Sequence, residues 1–123
     1  SSAGPATWEH IKEFGDYPYS KGEKPGLTKP EVCGPSEVPS TSKDGVTYTS
    51  SFGGTSSATP HIAGVVALLV SAKPTLTPAQ ATEALQLTAL FVTEDSSDSN
   101  YNNRCGAGRV DVPAAVEYVK AKF

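Results

Sequence analysis

The stretch Gly53-Gly54-Thr55-Ser56-Ser57-Ala58-Thr59-Pro60-His61-Ile62-Ala63-Gly64 constrains this chain more than any other. A Gly-Gly pair brings the backbone, with little steric bulk, to a Thr-Ser pair. An apolar run from Ile62 to Val70 follows at once, and Pro74 ends it. The pattern predicts a helix over 54–73, with Pro60 in its first turns, where no backbone N–H is needed. Val65, Val66, Leu68, Leu69 and Val70 fall on every face of that helix. It is therefore expected to be buried all round, and to need more protein around it than this stretch supplies. Ser56 then stands in the first turn, where unpaired N–H groups gather and the dipole is positive. An oxyanion is favoured there, which suits a nucleophile whose attack creates one.

The 123 residues make one domain or part of one. A hydrophobic share of 37% with 19% charged residues puts the chain among globular proteins and not disordered ones. The net charge is −3 and the Lys and Arg residues are scattered, so neither nucleic acid nor an anionic membrane is expected as a partner. The Ile62–Val70 run falls well short of the roughly 20 residues of a membrane span. No basic segment followed by an apolar one opens the chain, so no signal peptide is read here. The opening Ser1-Ser2-Ala3-Gly4-Pro5 and the absence of Met fit a piece from the middle of a longer protein. Cys33 and Cys105 fit either one disulfide of a secreted protein or two buried thiols. Neither has metal-ligand spacing around it.

Residues 1–5 read as a strand end turning at Gly4-Pro5, and 6–28 as a long, Gly/Pro-punctuated insertion with surface aromatics. Lys29 to Pro35 reads as a short strand, and Val38 to Tyr48 as a hairpin about Asp44-Gly45. Thr77-Pro78-Ala79-Gln80 is a capping box that opens a helix with Ala81, Ala84, Leu85 and Thr88 on one face. Glu94 to Asn103 is an acidic, Ser/Asn-rich loop. Gly106-Ala107-Gly108 leads into a short strand at Arg109-Val110. Asp111 then caps a last helix with a stripe of Val112, Ala115, Val116 and Val119.

The run Gly54-Thr55-Ser56-x-Ala58-x-Pro60-His61-x-Ala63-Gly64 resembles that of the subtilisin-like serine peptidases, the subtilases, whose nucleophilic serine heads a buried helix. Eight fixed positions at about one in fifteen each make a chance match on the order of one in 10⁹. Ser1-Ser2-Ala3-Gly4-Pro5 is similar to the family's Ser-Ser-x-Gly-Pro turn, and Lys29 to Pro35 to its Lys-Pro-Asp-Val-x-Ala-Pro segment. Gly106 to Asp111 with Ala114-Ala115 resembles its closing strand and helix. Only 6–28 falls outside the likeness. The chain departs from the pattern at Glu31 (usually Asp), Gly34 (usually Ala), Ser36 (usually Gly) and Ser57 (often Met).

The resemblance implies the C-terminal part, residues 1–123, of a three-layer α/β catalytic domain with a mainly parallel sheet between helices. It implies a serine endopeptidase acting on protein or peptide substrates. Ser56 would be the nucleophile, its N–H half of the oxyanion hole, and Gly53, Gly54 and Thr55 would border the specificity pocket. A serine hydroxyl needs a base, itself oriented by a third group. In the family the Asp, the His and an oxyanion Asn precede the serine, and this chain has none of those segments. They are expected upstream or on a cleaved companion chain, and the 123 residues alone are expected to be inactive. An extracellular or cell-surface location follows by family likeness. No cofactor is evident; structural calcium is common in the family, but no calcium loop is recognisable here.

The chain's own histidines do not fill the gap. His61 lies five residues past Ser56, about 140° around a helix and ~7.5 Å further along it, so it reads as structural. His10 sits in the insertion with no Asp arranged beside it and reads as a surface residue. Gly54 to Ala58 lacks the last Gly of a nucleophile elbow. Ser40-x-x-Lys43 lies beside a turn, and Asp95, Asp98 and Asn100 lack calcium-loop spacing. The alternative is a scaffold or interaction module that keeps the fold without the chemistry.

Overall fold

The computed structural model describes residues 29–92 and 104–123. The opening turn, the 6–28 insertion with His10, and the 94–103 loop lie outside the described residues. The elements are β1 (Val38–Thr41), β2 (Tyr48–Phe52), α1 (Thr55–Ala72), α2 (Pro78–Thr88) and α3 (Val112–Lys122).

β1 and β2 form the expected hairpin, antiparallel, with Thr41 opposite Tyr48 and Val38 opposite Phe52. The register slips between Val38 and Ser40, at Pro39, which has no N–H to give to a ladder. The turn is closed by Asp44, whose Oδ1 accepts the N–H groups of Val46 and Thr47, each at 2.9 Å. Its Oδ2 accepts the Thr47 hydroxyl at 2.5 Å, and Gly45 supplies φ of +73°. Those bonds, the Thr47 hydroxyl first, lower the Asp44 carboxyl to a pKa of about 2.

The segment 29–35, read as a strand, contributes a parallel bridge between Cys33 and Arg109. Cys33 N–H donates to Gly108 O (2.8 Å), Val110 N–H to Cys33 O (3.1 Å) and Ala107 N–H to Glu31 O (2.9 Å). Leu90 flanks Arg109 on the other side, antiparallel, with two bonds of 2.8 Å. Parallel pairing needs a neighbour delivered by a long crossover, and among the described residues this bridge is the one parallel pairing. The backbones meet closely here: a Cβ on Gly106 would lie 2.2 Å from the carbonyls of Pro30 and Glu31.

The helices start where their caps predict. Thr77 Oγ1 accepts from Gln80 N–H and Gln80 Oε1 accepts from Thr77 N–H, which completes the capping box of α2. Asp111 Oδ1 accepts from Ala114 N–H at 3.0 Å to open α3. α3 packs on both α1 and α2. Their shared core is Val65 and Leu69 of α1, Ala84 and Leu85 of α2, and Ala115 and Val119 of α3. The small Ala84 and Ala115 let the helices approach closely enough for the larger side chains to interdigitate. At the rim, Tyr118 OH donates to Glu83 Oε1 at 2.8 Å, and Lys122 Nζ donates to both groups.

Two expectations about α1 need correction. The stretch 54–73, read as a helix buried all round, is a helix over Thr55–Ala72 that buries only Ser57, Val65 and Leu69. Leu68 and Val70 are 54% and 40% exposed, because α2 and α3 together cover one face and nothing among the described residues covers the other. Pro60 sits at the sixth helical position, past the first turn. Its missing N–H removes the α-helical donor for the carbonyl of Ser56.

Candidate active site

The predicted site residues are consecutive, and the fold turns them in different directions. Gly54, the N-cap of α1, has φ 73° and ψ −166°, a region open essentially to glycine alone. Its carbonyl accepts the N–H groups of Ser57 (3.1 Å) and Ala58 (3.2 Å) and the hydroxyl of Ser36 (3.3 Å). That conformation lets the chain leave β2 and enter the helix within two residues. Gly53 packs beside Glu37, whose Cγ would lie 3.0 Å from a Cβ at that position. Glu37 itself holds φ of 57°, in the left-handed region that side-chain-bearing residues seldom adopt.

Thr55 and Ser56 are the first two residues of α1, and both are exposed. The N–H groups of a helix's first residues have no acceptor within the helix. Ser56 therefore carries an accessible hydroxyl beside backbone donors at the positive end of an 18-residue helix dipole. Gly54 and Thr55 line a groove of about 970 Å³ together with Ala58, Thr59 and the segment from Lys29 to Gly34. Ser36, across that groove, and Glu37, against Gly53, join the site without having been picked as site residues. Ser36 was legible only as a departure from the family's Gly, and nothing in the sequence signals a left-handed Glu37.

Ser57 faces the hairpin. It is fully buried, and its Oγ has no hydrogen-bond partner among the described residues. With Pro60, His61 and the hairpin residues Val38, Ser40 and Phe52 it lines a smaller cavity of about 360 Å³. His61 Nδ1–H donates to the Ser57 carbonyl at 2.8 Å, a bond from one turn of α1 to the preceding one. That bond holds the imidazole on the Ser57 side of the helix, as a structural histidine. Among the described residues no group of three His, Cys, Asp or Glu side chains gathers to hold a metal ion.

Comparison with known proteins sets this geometry in a family. The family model described as the subtilase family matches residues 17–108, more than half of the chain. An extracellular protease of Xanthomonas campestris pv. campestris is 48% identical over 67 residues, 54% of this chain and 11% of that protein. Subtilisin of Bacillus pumilus is 37% identical over 98 residues, 80% of this chain and 31% of that protein. The chain thus spans under a third of the length of either relative. Among solved structures, the patellamide maturation protease PatA superposes with a TM-score of 0.57 at 30% identity, over 75% of this chain and 34% of that one. The psychrophilic subtilisin-like protease Apa1 of Pseudoalteromonas sp. AS-11 gives 0.52 at 32% identity, over 58% and 15%. The helices, the hairpin and the parallel bridge are accordingly a part of the α/β subtilisin-like fold. On the family match and these likenesses, the chain belongs to the subtilase family of serine peptidases.

Proposed function

We propose that this chain supplies the nucleophile of a secreted subtilisin-like endopeptidase, with Ser56 as the residue that carries the acyl group. The observation that carries the reading is the accessible Ser56 hydroxyl at the second position of α1, on a backbone turned by Gly54. In the proposed reaction Ser56 Oγ attacks the peptide carbonyl carbon while its proton passes to a histidine on the remainder of the catalytic domain, upstream or on a companion chain. The oxyanion is taken by the Ser56 N–H and a side-chain amide of that same remainder. Collapse expels the amine, which leaves with the proton, and water then hydrolyses the ester on Ser56. Gly53, Gly54 and Thr55 border the peptide through their backbones. No metal or other cofactor takes part in these steps.

The base has to come from outside the described residues, since His61 is tied to the Ser57 carbonyl. By the family likeness the Asp and His precede the serine segment, so the 123-residue chain by itself is expected to hydrolyse no peptide. The names of its relatives, an extracellular protease and subtilisins, support a role outside the cell.

The test is peptide hydrolysis by the protein in which the chain is joined to its upstream segments. Replacing the nucleophile in such a triad lowers kcat by about 10⁶-fold, and Ser56→Ala is expected to do the same. Hydrolysis that survives Ser56→Ala would place the nucleophile on another residue, and hydrolysis absent before it would leave a scaffold of the same fold as the better description.

A further inference from the structure

Cys33 and Cys105 stand 72 residues apart in the sequence and meet in the fold. Cys33 Sγ–H donates to the Cys105 carbonyl at 3.2 Å, which brings the backbone of one cysteine against the thiol of the other. The contact rests on hydrogen-bonded backbone. The Cys33 N–H bonds Gly108, the Ala107 N–H bonds Glu31, and the Cys105 carbonyl also accepts the N–H of Gly108. Gly106 lies so near the carbonyls of Pro30 and Glu31 that no other residue fits there. Cys105 is thus fixed against the segment that carries Cys33. Neither cysteine is in a disulfide in this structure, and both are half-buried, within reach of a small reagent. No third His, Cys, Asp or Glu joins them among the described residues, which disfavours a metal site.

We propose that Cys33 and Cys105 are an oxidation site at which the fold forms an intrachain disulfide, tying the Glu31–Cys33 segment to the turn before α3. The oxidant is a low-molecular-weight disulfide. One cysteine thiolate attacks a sulfur of the reagent, forming a mixed disulfide and expelling the first small thiolate. The second cysteine thiolate then attacks the protein sulfur of that mixed disulfide and expels the second. The protein thiols lose two electrons and two protons, and the reagent ends as two thiols. Burial, then the hydrogen bond and the charge of Cys105, push the Cys33 thiol up to about 12. A thiol of high pKa is a poor leaving group in exchange. The bond is therefore slow to open again and acts as a cross-link, not a fast switch. The ring it closes contains Ser56 and all of α1 and α2.

The probe is oxidised glutathione in a graded ratio to reduced glutathione, followed by acid quench, alkylation and mass measurement of the chain. In native buffer the oxidised chain is expected to take up no alkyl group, to weigh about 2 Da less than the reduced chain, and to give a Cys33–Cys105 linked peptide on digestion. Because folding preorganises the pair, the cross-link is expected at a ratio at least about tenfold lower than in 8 M urea. Two alkylated thiols, stable glutathione adducts, chain-to-chain dimers, or an equal ratio in urea would each overturn the proposal. Ser56 has no part in this chemistry, so the outcome is separate from any loss of peptidase activity.

Discussion

Two adjacent serines at the head of one helix carry opposite burdens. Ser56 is exposed, and Ser57 is fully buried with a hydroxyl that has no partner among the described residues. A buried hydroxyl without a partner costs about 1–3 kcal/mol of desolvation. Ser57→Ala removes that cost and leaves a methyl group of nearly the same bulk. It is expected to raise stability by about 1 kcal/mol, read as a higher urea midpoint with unchanged slope. Gly54 carries the opposite sensitivity. Its φ of 73° with ψ of −166° costs a side-chain-bearing residue on the order of 1–3 kcal/mol. Among the described residues no atom lies within 4 Å of the Cβ position, so the penalty of Gly54→Ala is expected to be conformational and not steric. A lower urea midpoint by that amount is expected, with peptide hydrolysis falling further than stability as Ser56 shifts.

At the scale of elements, the hairpin owes its turn to one carboxylate. Asp44 titrates at about 2 in the fold against an ordinary 3.8, because the Thr47 hydroxyl and the N–H groups of Thr47 and Val46 bond its charged form. A depressed carboxyl contributes stability that is complete above the ordinary value and is lost as pH falls through the folded one. The hairpin is therefore expected to loosen between about pH 4 and pH 2. Acid titration of the Val46 and Thr47 amide resonances checks this, and in Asp44→Asn that transition should vanish. The caps and turns of these elements were legible because each is a local contract between neighbouring residues: Thr77 with Gln80, Asp111 with Ala114, Asp44 with Thr47. The strand at 29–35 was less so. Its pairing depends on Gly108 and Arg109, far along the chain, and shortens it to a bridge. Nor does any local rule give Glu37 its left-handed backbone or turn Ser57 inward.

Across the whole molecule, the core joins one face each of α1, α2 and α3, and the apolar pattern of α1 exceeds what those partners cover. The motif from Gly54 to Gly64 made the family readable and set the place of the proposed nucleophile, since a serine at a helix head needs only its own neighbours to be held there. The base is a matter of other residues, and the described ones contain no candidate oriented on Ser56. Labelling by a fluorophosphonate bears most directly on this division of labour, because the reagent marks only a serine whose proton has an acceptor. With the upstream segments present and the protein folded, digestion is expected to place a single adduct on Ser56 and none on Ser57, and the 123-residue chain alone should stay unlabelled. An unmodified Ser56 in the folded longer protein, or an adduct on another serine, would contradict the assignment of residue 56 as the nucleophile.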